Sequence, residues 1–141
     1  MMMTSSFSVG IDLVRVSRVA ASLEEFGDRF LRRVFTDAEI AYATASASAL
    51  VAERLAARFA AKEAAIKALD LAERGVGWRQ IEVVRQPSGQ CRLALHGAAQ
   101  DAAVQAGVIE LSVSLSHEGD YATAIVLAMR TMRNRQEAAQ S

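Results

Sequence analysis

The sequence predicts an α+β domain, with a small, mostly antiparallel sheet packed on one long buried helix. Three observations carry this expectation. The amino-terminal segment alternates like a strand, an alanine-rich helical stretch occupies the middle, and two hairpin patterns follow it. The strict β-α-β alternation of a parallel sheet is missing.

Each element has a local reason. "FSVGIDLVRV" sets Phe7, Val9, Ile11 and Leu13 on one strand face and Ser8, Gly10, Asp12 and Val14 on the other. Ser17 is placed to cap a helix running to about Phe26 or beyond. "TDAE" at 36–39 has the Thr-x-x-Glu spacing of a capping box, so a helix starts near Asp37. A long helix runs from about Ala49 to Leu71 and stops at "ERGVG". "WRQIEVVRQPSGQCRLALHG" reads as a hairpin turning at Pro87-Ser88-Gly89. A short helix over 98–106 ends at Gly107. "VIELSVSLSHEGDYATAIVLAM" reads as a second hairpin with "HEGD" at its turn. The expected organisation is one domain over 7–129, a flexible lead over 1–6 and a disordered polar tail over 130–141.

Composition narrows the function classes. The chain has 141 residues, 52% of them hydrophobic and 23% charged, which suits one core of closely packed small side chains. The formal net charge is zero, so nothing points to nucleic acid. Arg15, Arg18, Arg29, Arg32 and Arg33 face Glu24, Glu25 and Asp28 in one segment, enough for a modest basic patch or a solvated helix face. Cys91 is the single cysteine, which fits a reducing cytosol. No signal-peptide pattern opens the chain and no apolar run is long enough for a membrane span. The expectation is a soluble cytoplasmic domain.

The only lysines, Lys62 and Lys67, flank Glu63 in "ARFAAKEAAIKAL". At ~100° per residue, Leu55, Phe59, Ile66 and Leu69 fall within an arc of roughly 80°. Ala60, Ala61, Ala64, Ala65 and Ala68 cover the opposite side. Such a helix is buried on both sides or packed at a subunit contact. Glu63 and Lys67 share one seam, and Arg58 and Lys62 share the other. The Glu63–Lys67 spacing also suits a simple ion pair one turn apart. Asp12 is the one acid of an otherwise apolar strand, where a carboxylate is costly unless exposed, paired or metal-bound. Asp12 and Glu63 together suit one Mg²⁺, which takes one or two carboxylates and completes its shell with phosphate oxygens and water. Lys62, Lys67 and Arg58 would then neutralise phosphate. Ser112, Ser114 and Ser116 share a strand face that leads into His117, a row that can line a polar pocket. His96, His117 and Cys91 lack the spacing of a zinc site.

"GIDLVRVSR" at 10–18, "RFAAKEAAIKA" at 58–68 and "SLSHEGDYATA" at 114–124 together resemble the holo-acyl-carrier-protein synthase family, the small bacterial 4′-phosphopantetheinyl transferases. The family pattern is Gly-x-Asp, then Phe/Trp-x-x-Lys-Glu-x-x-x-Lys, then Ser-x-Ser/Thr-His, and the order is kept here. The resemblance implies the phosphopantetheinyl transferase fold and transfer of phosphopantetheine from coenzyme A to a serine of an apo acyl carrier protein. It assigns Asp12 and Glu63 to Mg²⁺ and Lys67 to the phosphates. Arg58, Lys62, Gly89, Ser116 and His117 match positions of the coenzyme pocket, and Arg18, with Arg15 beside it, matches the carrier-facing side. Glu63 and Glu118 both stand as candidates for the base that takes the serine proton. Family members of this size are typically homotrimers with shared active sites. A catalytically silent relative that still binds coenzyme A and carrier is the alternative. Cys91 stands where the family often has proline after the hairpin glycine, and the role of Gly75 and Gly77 is open.

Overall fold

The computed structural model describes residues 3–133. Strand β1 (Met3–Arg15) leads into helices α1 (Val16–Phe26), α2 (Asp28–Val34) and α3 (Asp37–Thr44), then the long helix α4 (Ser48–Leu69). A single 3-10 turn at Trp78–Gln80 precedes the hairpin β2 (Ile81–Arg85) and β3 (Cys91–Leu95). Helix α5 (Gly97–Gln105) and the hairpin β4 (Val108–Glu118) and β5 (Tyr121–Arg133) complete the chain. The strands form two antiparallel sheets, one of order β1-β5-β4 and one of β2-β3.

The α+β class is as expected, and the helix and hairpin positions agree closely. The ends differ. Residues 3–6, expected as part of a flexible lead, continue β1 and pair with residues 130–133, expected as the start of a tail. "MTSS" at 3–6 carries no alternation, so only the partner strand reveals its conformation. The rest of the expected tail, 134–141, and residues 1–2 lie outside the described residues. Helix α2 was not expected as a separate element. Gly27 adopts a φ of 54°, which breaks the helical run between Phe26 and Asp28.

Two helix starts are held differently. Thr36 and Glu39 form the full capping box of α3, as the spacing predicted. Ser17 does not cap α1 with its own side chain. Asp120, from the β4–β5 turn, accepts from the Ser17 backbone N–H at 2.9 Å and from its hydroxyl at 2.5 Å. The turn between the last two strands therefore supplies the acceptor for the first helix, where a negative charge suits the helix dipole.

Helix α4 is the axis of the molecule. Ala64, Ala65 and Ala68 are buried under the three-stranded sheet, with Val126 and Ala128 of β5 in the same core. Leu55 and Ala56 pack with Val19 of α1, Val34 of α2 and Ala43 of α3 in a second core. Both apolar sides of α4 are thus covered within one chain, so their burial needs no subunit contact. It is the sheet's outer face that stays bare. Phe7, Val9, Ile11 and Leu13 are 59–64% exposed, and Ile125 and Leu127 beside them are more than 40% exposed.

Candidate active site

Gly10 sets the distance between β1 and α4. A Cβ at this position would lie 2.0 Å from the Ala64 carbonyl oxygen and 2.8 Å from the Ala68 nitrogen. The space that the missing side chain leaves at Gly10 is filled by α4 itself. Ser8 hydroxyl donates to the Ala68 carbonyl at 2.7 Å and fastens the same crossing. Two residues beyond Gly10 on the same strand face, Asp12 reaches the α4 seam that carries Glu63 and Lys67.

There Lys67 Nζ donates to Asp12 Oδ1 at 3.1 Å and to the Ile11 carbonyl at 3.0 Å. The pair is partly exposed, with side-chain accessibilities of 55% and 21%. Lys67 therefore pairs across the strand–helix boundary and not with Glu63 one turn earlier. Glu63 Oε1 instead accepts from the Trp78 indole N–H at 2.7 Å. Asp12 and Glu63 line one cavity of about 670 Å³, with Arg15, Arg18, Phe30 and Phe59 around it. Tyr121 closes another side, with the Arg15 guanidinium 5.4 Å from its ring centre. The two arginines expected to face a carrier protein are thus at the same cavity as the two acids.

The donor set fits a hard divalent cation. Two carboxylates share the cavity, and no group of three or more metal-binding side chains occurs among the described residues. A site with two acids and room beside them suits Mg²⁺ completed by phosphate oxygens. A closed protein cage would need more ligands. Gly75 and Gly77 line a second cavity of about 370 Å³ that also includes Glu63, Trp78 and Arg33. The glycine loop left open by the sequence therefore borders Glu63 from its other side.

The second seam of α4 turns inward, which corrects the expected role of Lys62. Its side chain is fully buried, as is that of its partner Glu39 2.7 Å away. Lys62 Nζ also donates to the carbonyls of Trp78 at 3.0 Å and Ile81 at 2.5 Å, so all three of its protons are used. It cannot reach a phosphate from this position. Burial pulls its pKa below the usual lysine range, and the Glu39 carboxylate opposes that shift. Glu39 also accepts from the Thr36 and Val83 backbone N–H groups, so one carboxylate ties α3, α4 and β2 together. The capping box revealed Glu39 only as a helix start.

Arg58 is 5% exposed and its guanidinium lies 4.1 Å from the Tyr42 ring centre. Burial lowers its pKa from the usual arginine value. Arg54 and Arg85 approach the same ring at 4.5 and 5.5 Å. None of the three is in a salt bridge among the described residues, and Arg58 Nε is buried without a hydrogen-bond partner. Ser116 and His117 leave β4 from opposite faces, because neighbouring strand residues alternate. Ser116 joins Ser112 and Ser114 on the exposed outer face, while His117, itself 56% exposed, leaves the opposite face with its Nε2 3.3 Å from Glu53 of α4. The expected single pocket of serines ending in imidazole does not form within one chain. Gly89 sits at the tip of the β2–β3 hairpin with a φ of 90°, away from the acidic cavity. Trp78 and Tyr42 were missed. Their sequence surroundings carry no signal of the contacts they make.

Known proteins share this arrangement of elements. The family model described as the 4′-phosphopantetheinyl transferase superfamily matches residues 8–126. A holo-[acyl-carrier-protein] synthase of Koribacter versatilis is 48% identical over 119 residues, covering 84% of this chain and 94% of that protein. One from Herpetosiphon aurantiacus is 45% identical over 127 residues, covering 85% and 96%. Among solved structures, the Chronobacterium ammoniagenes ACPS–CoA complex superposes with a TM-score of 0.79 at 37% identity, over 91% of this chain and 99% of that one. The Helicobacter pylori holo-[acyl-carrier-protein] synthase in complex with coenzyme A gives 0.74 at 26% identity, over 85% and 98%. The family match takes in all three motifs, carried on β1, α4 and the last hairpin, and the chain belongs to the 4′-phosphopantetheinyl transferase superfamily.

Proposed function

We propose that the chain is a holo-[acyl-carrier-protein] synthase. It transfers the 4′-phosphopantetheine group of coenzyme A to a serine of an apo acyl carrier protein and releases adenosine 3′,5′-bisphosphate. The observation that carries this reading is the meeting of Asp12, Glu63 and Lys67 at one strand–helix crossing, with Arg15 and Arg18 on the same cavity. The relatives named for this activity and the related structures holding coenzyme A support the substrate pair.

In the reaction the carrier serine Oγ bonds to the β-phosphorus of coenzyme A. The bond from that phosphorus to the oxygen bridging the adenosine side breaks, and the leaving phosphate keeps the electron pair. Mg²⁺, when bound by Asp12 and Glu63, would offset the negative charge that grows on the pyrophosphate oxygens. Lys67, 55% exposed beside Asp12, supplies a mobile cation for the same oxygens. Glu63 lines the cavity and Glu118 does not, which favours Glu63 as acceptor of the serine proton. Arg15 and Arg18 suit an acidic carrier surface, whose attraction should weaken as salt rises.

The active form is a homotrimer with shared sites in this reading. The bare apolar face of Phe7, Val9, Ile11, Leu13, Ile125 and Leu127 supports a subunit contact on the sheet. Arg58, Gly89, Ser116 and His117 lie off the acidic cavity of their own chain. A shared site would let them serve the coenzyme bound to a neighbouring subunit. The cluster of Arg54, Arg58 and Arg85, which forms no salt bridge among the described residues, supports an anion there. No helix among the described residues is long and apolar enough to cross a membrane, and Cys91 is a free thiol. A cytoplasmic location belongs to the same proposal.

The deciding experiment is intact mass spectrometry of apo acyl carrier protein incubated with this protein, coenzyme A and Mg²⁺. A gain of ~340 Da on the carrier, lost when the metal is chelated, is the expected result for this phosphoryl transfer. An unchanged mass with every apo carrier tried would overturn the reading.

A further inference from the structure

The Glu63 side chain makes a single hydrogen bond among the described residues, from the indole N–H of Trp78 to Oε1 at 2.7 Å. Trp78 is the chain's one tryptophan and opens the 3-10 turn ahead of β2. It is held from two sides. Its carbonyl accepts from Lys62 Nζ at 3.0 Å, and its ring leans on Phe59 with centroids 5.9 Å apart. Lys62 is itself fixed by the buried Glu39 carboxylate at 2.7 Å. A continuous line of contacts therefore runs from Glu39 through Lys62 and Trp78 to Glu63.

The chemistry of the last contact is specific. An indole N–H is a neutral donor with no acceptor. It restrains a carboxylate without cancelling its charge, whereas lysine or arginine in its place would compete with a bound cation. Oε1 of Glu63 is held, and Oε2 has no partner among the described residues, on a side chain that shares the cavity with Asp12. Hydrogen bonds of this kind orient metal-binding carboxylates and tune their affinity.

The geometry points to Trp78 as a positioning residue, whose indole N–H holds Glu63 in the orientation that binds a divalent cation together with Asp12. This rests on the cation role proposed for Glu63. The bond from Lys62 to the Trp78 carbonyl gives the buried Lys62–Glu39 pair a part in the site that neither residue has by direct contact.

The test replaces Trp78 with 3-benzothienylalanine, which keeps the fused ring and exchanges N–H for sulfur. Trp78→Phe serves as a second variant, and Glu63→Gln as the control. Mg²⁺ binding to the full-length protein with coenzyme A present is measured by calorimetry, beside the melting temperature. Both Trp78 variants should bind Mg²⁺ about 10- to 100-fold more weakly than wild type. The sulfur isostere should do so while melting close to wild type, which a merely structural role would not produce. Tryptophan emission of the unmodified protein should also shift as Mg²⁺ binds, and Glu63→Gln should abolish that shift. If the isostere binds Mg²⁺ as tightly as wild type while Glu63→Gln does not, the positioning role is overturned and the cation role stands. If Glu63→Gln also binds as tightly as wild type, the cation role of Glu63 fails and the inference fails with it.

Discussion

Gly10 of β1 touches the backbone of α4 at Ala64, so closely that a Cβ there would sit 2.0 Å from the Ala64 carbonyl oxygen. This contact decides how far Asp12 stands from Glu63 and Lys67. The glycine of the Gly-x-Asp motif is thus required for the approach of two backbones.

Gly10→Ala should therefore disturb both fold and site. The clash is with backbone, which cannot rotate away, so the cost should be at least the ~1–3 kcal/mol of an overpacked core. Urea unfolding would show it, and transfer activity should fall along with stability because Asp12 is displaced. Wild-type stability in this variant would contradict the close approach.

Asp12→Ala should separate chemistry from stability. Its ion pair with Lys67 is partly exposed, and such pairs contribute about 0–1 kcal/mol. Melting should change little, while phosphopantetheine transfer falls by about 10²-fold or more through loss of charge stabilisation. Carrier docking, measured by surface plasmon resonance, should be largely kept. A variant that transfers at the wild-type rate would remove Asp12 from the mechanism.

Lys62→Met should behave in the opposite way. It leaves Glu39 buried beside apolar side chains without its ammonium, and breaking such a pair costs about 3–5 kcal/mol. The double variant with Glu39→Gln should recover part of that loss in thermal denaturation. Were Lys62 a phosphate contact, Lys62→Met would instead raise KM for coenzyme A with stability intact.

Ile11→Lys places a charge on the bare sheet face. Ile11 is 61% exposed in a single chain, so that chain should still fold. Light scattering should show the assembly falling from three chains to one, with loss of activity as shared sites come apart. An unchanged mass would sink the proposed contact on this face.

Glu82 gives a pH-dependent prediction. Burial pushes its pKa up, but hydrogen bonds from Thr36 and His96 and the charges of His96 and Lys62 outweigh this, leaving it below the ordinary 4.5. A carboxyl lowered in the fold stabilises above its ordinary value, and that gain is lost as pH falls through the native value. Glu82→Gln should thus melt below wild type at pH 7, by the equivalent of about 1 kcal/mol. The two melting curves should converge as the buffer is acidified below the ordinary glutamate range. A gap of constant size down to strong acid would show that the charge contributes nothing.

By itself the sequence determined the class of fold, the order of its elements and the three motifs that converge. Alternation in β1, the Thr36–Glu39 spacing and the alanine pattern of α4 are local signals, set by the two- and 3.6-residue periods of the backbone. The family was legible for the same reason, since its motifs are short and keep their order. Only the tertiary structure decided which way each charged side chain of α4 points. Lys62 and Lys67 are chemically alike and lie on the same helix, yet one is sealed against Glu39 and the other opens on Asp12. Residues five apart on a helix face different neighbours, and those neighbours come from α3 and β1, distant in sequence. Trp78 at Glu63 and Asp120 at α1 were hidden alike. Each depends on how elements cross, which no local period records.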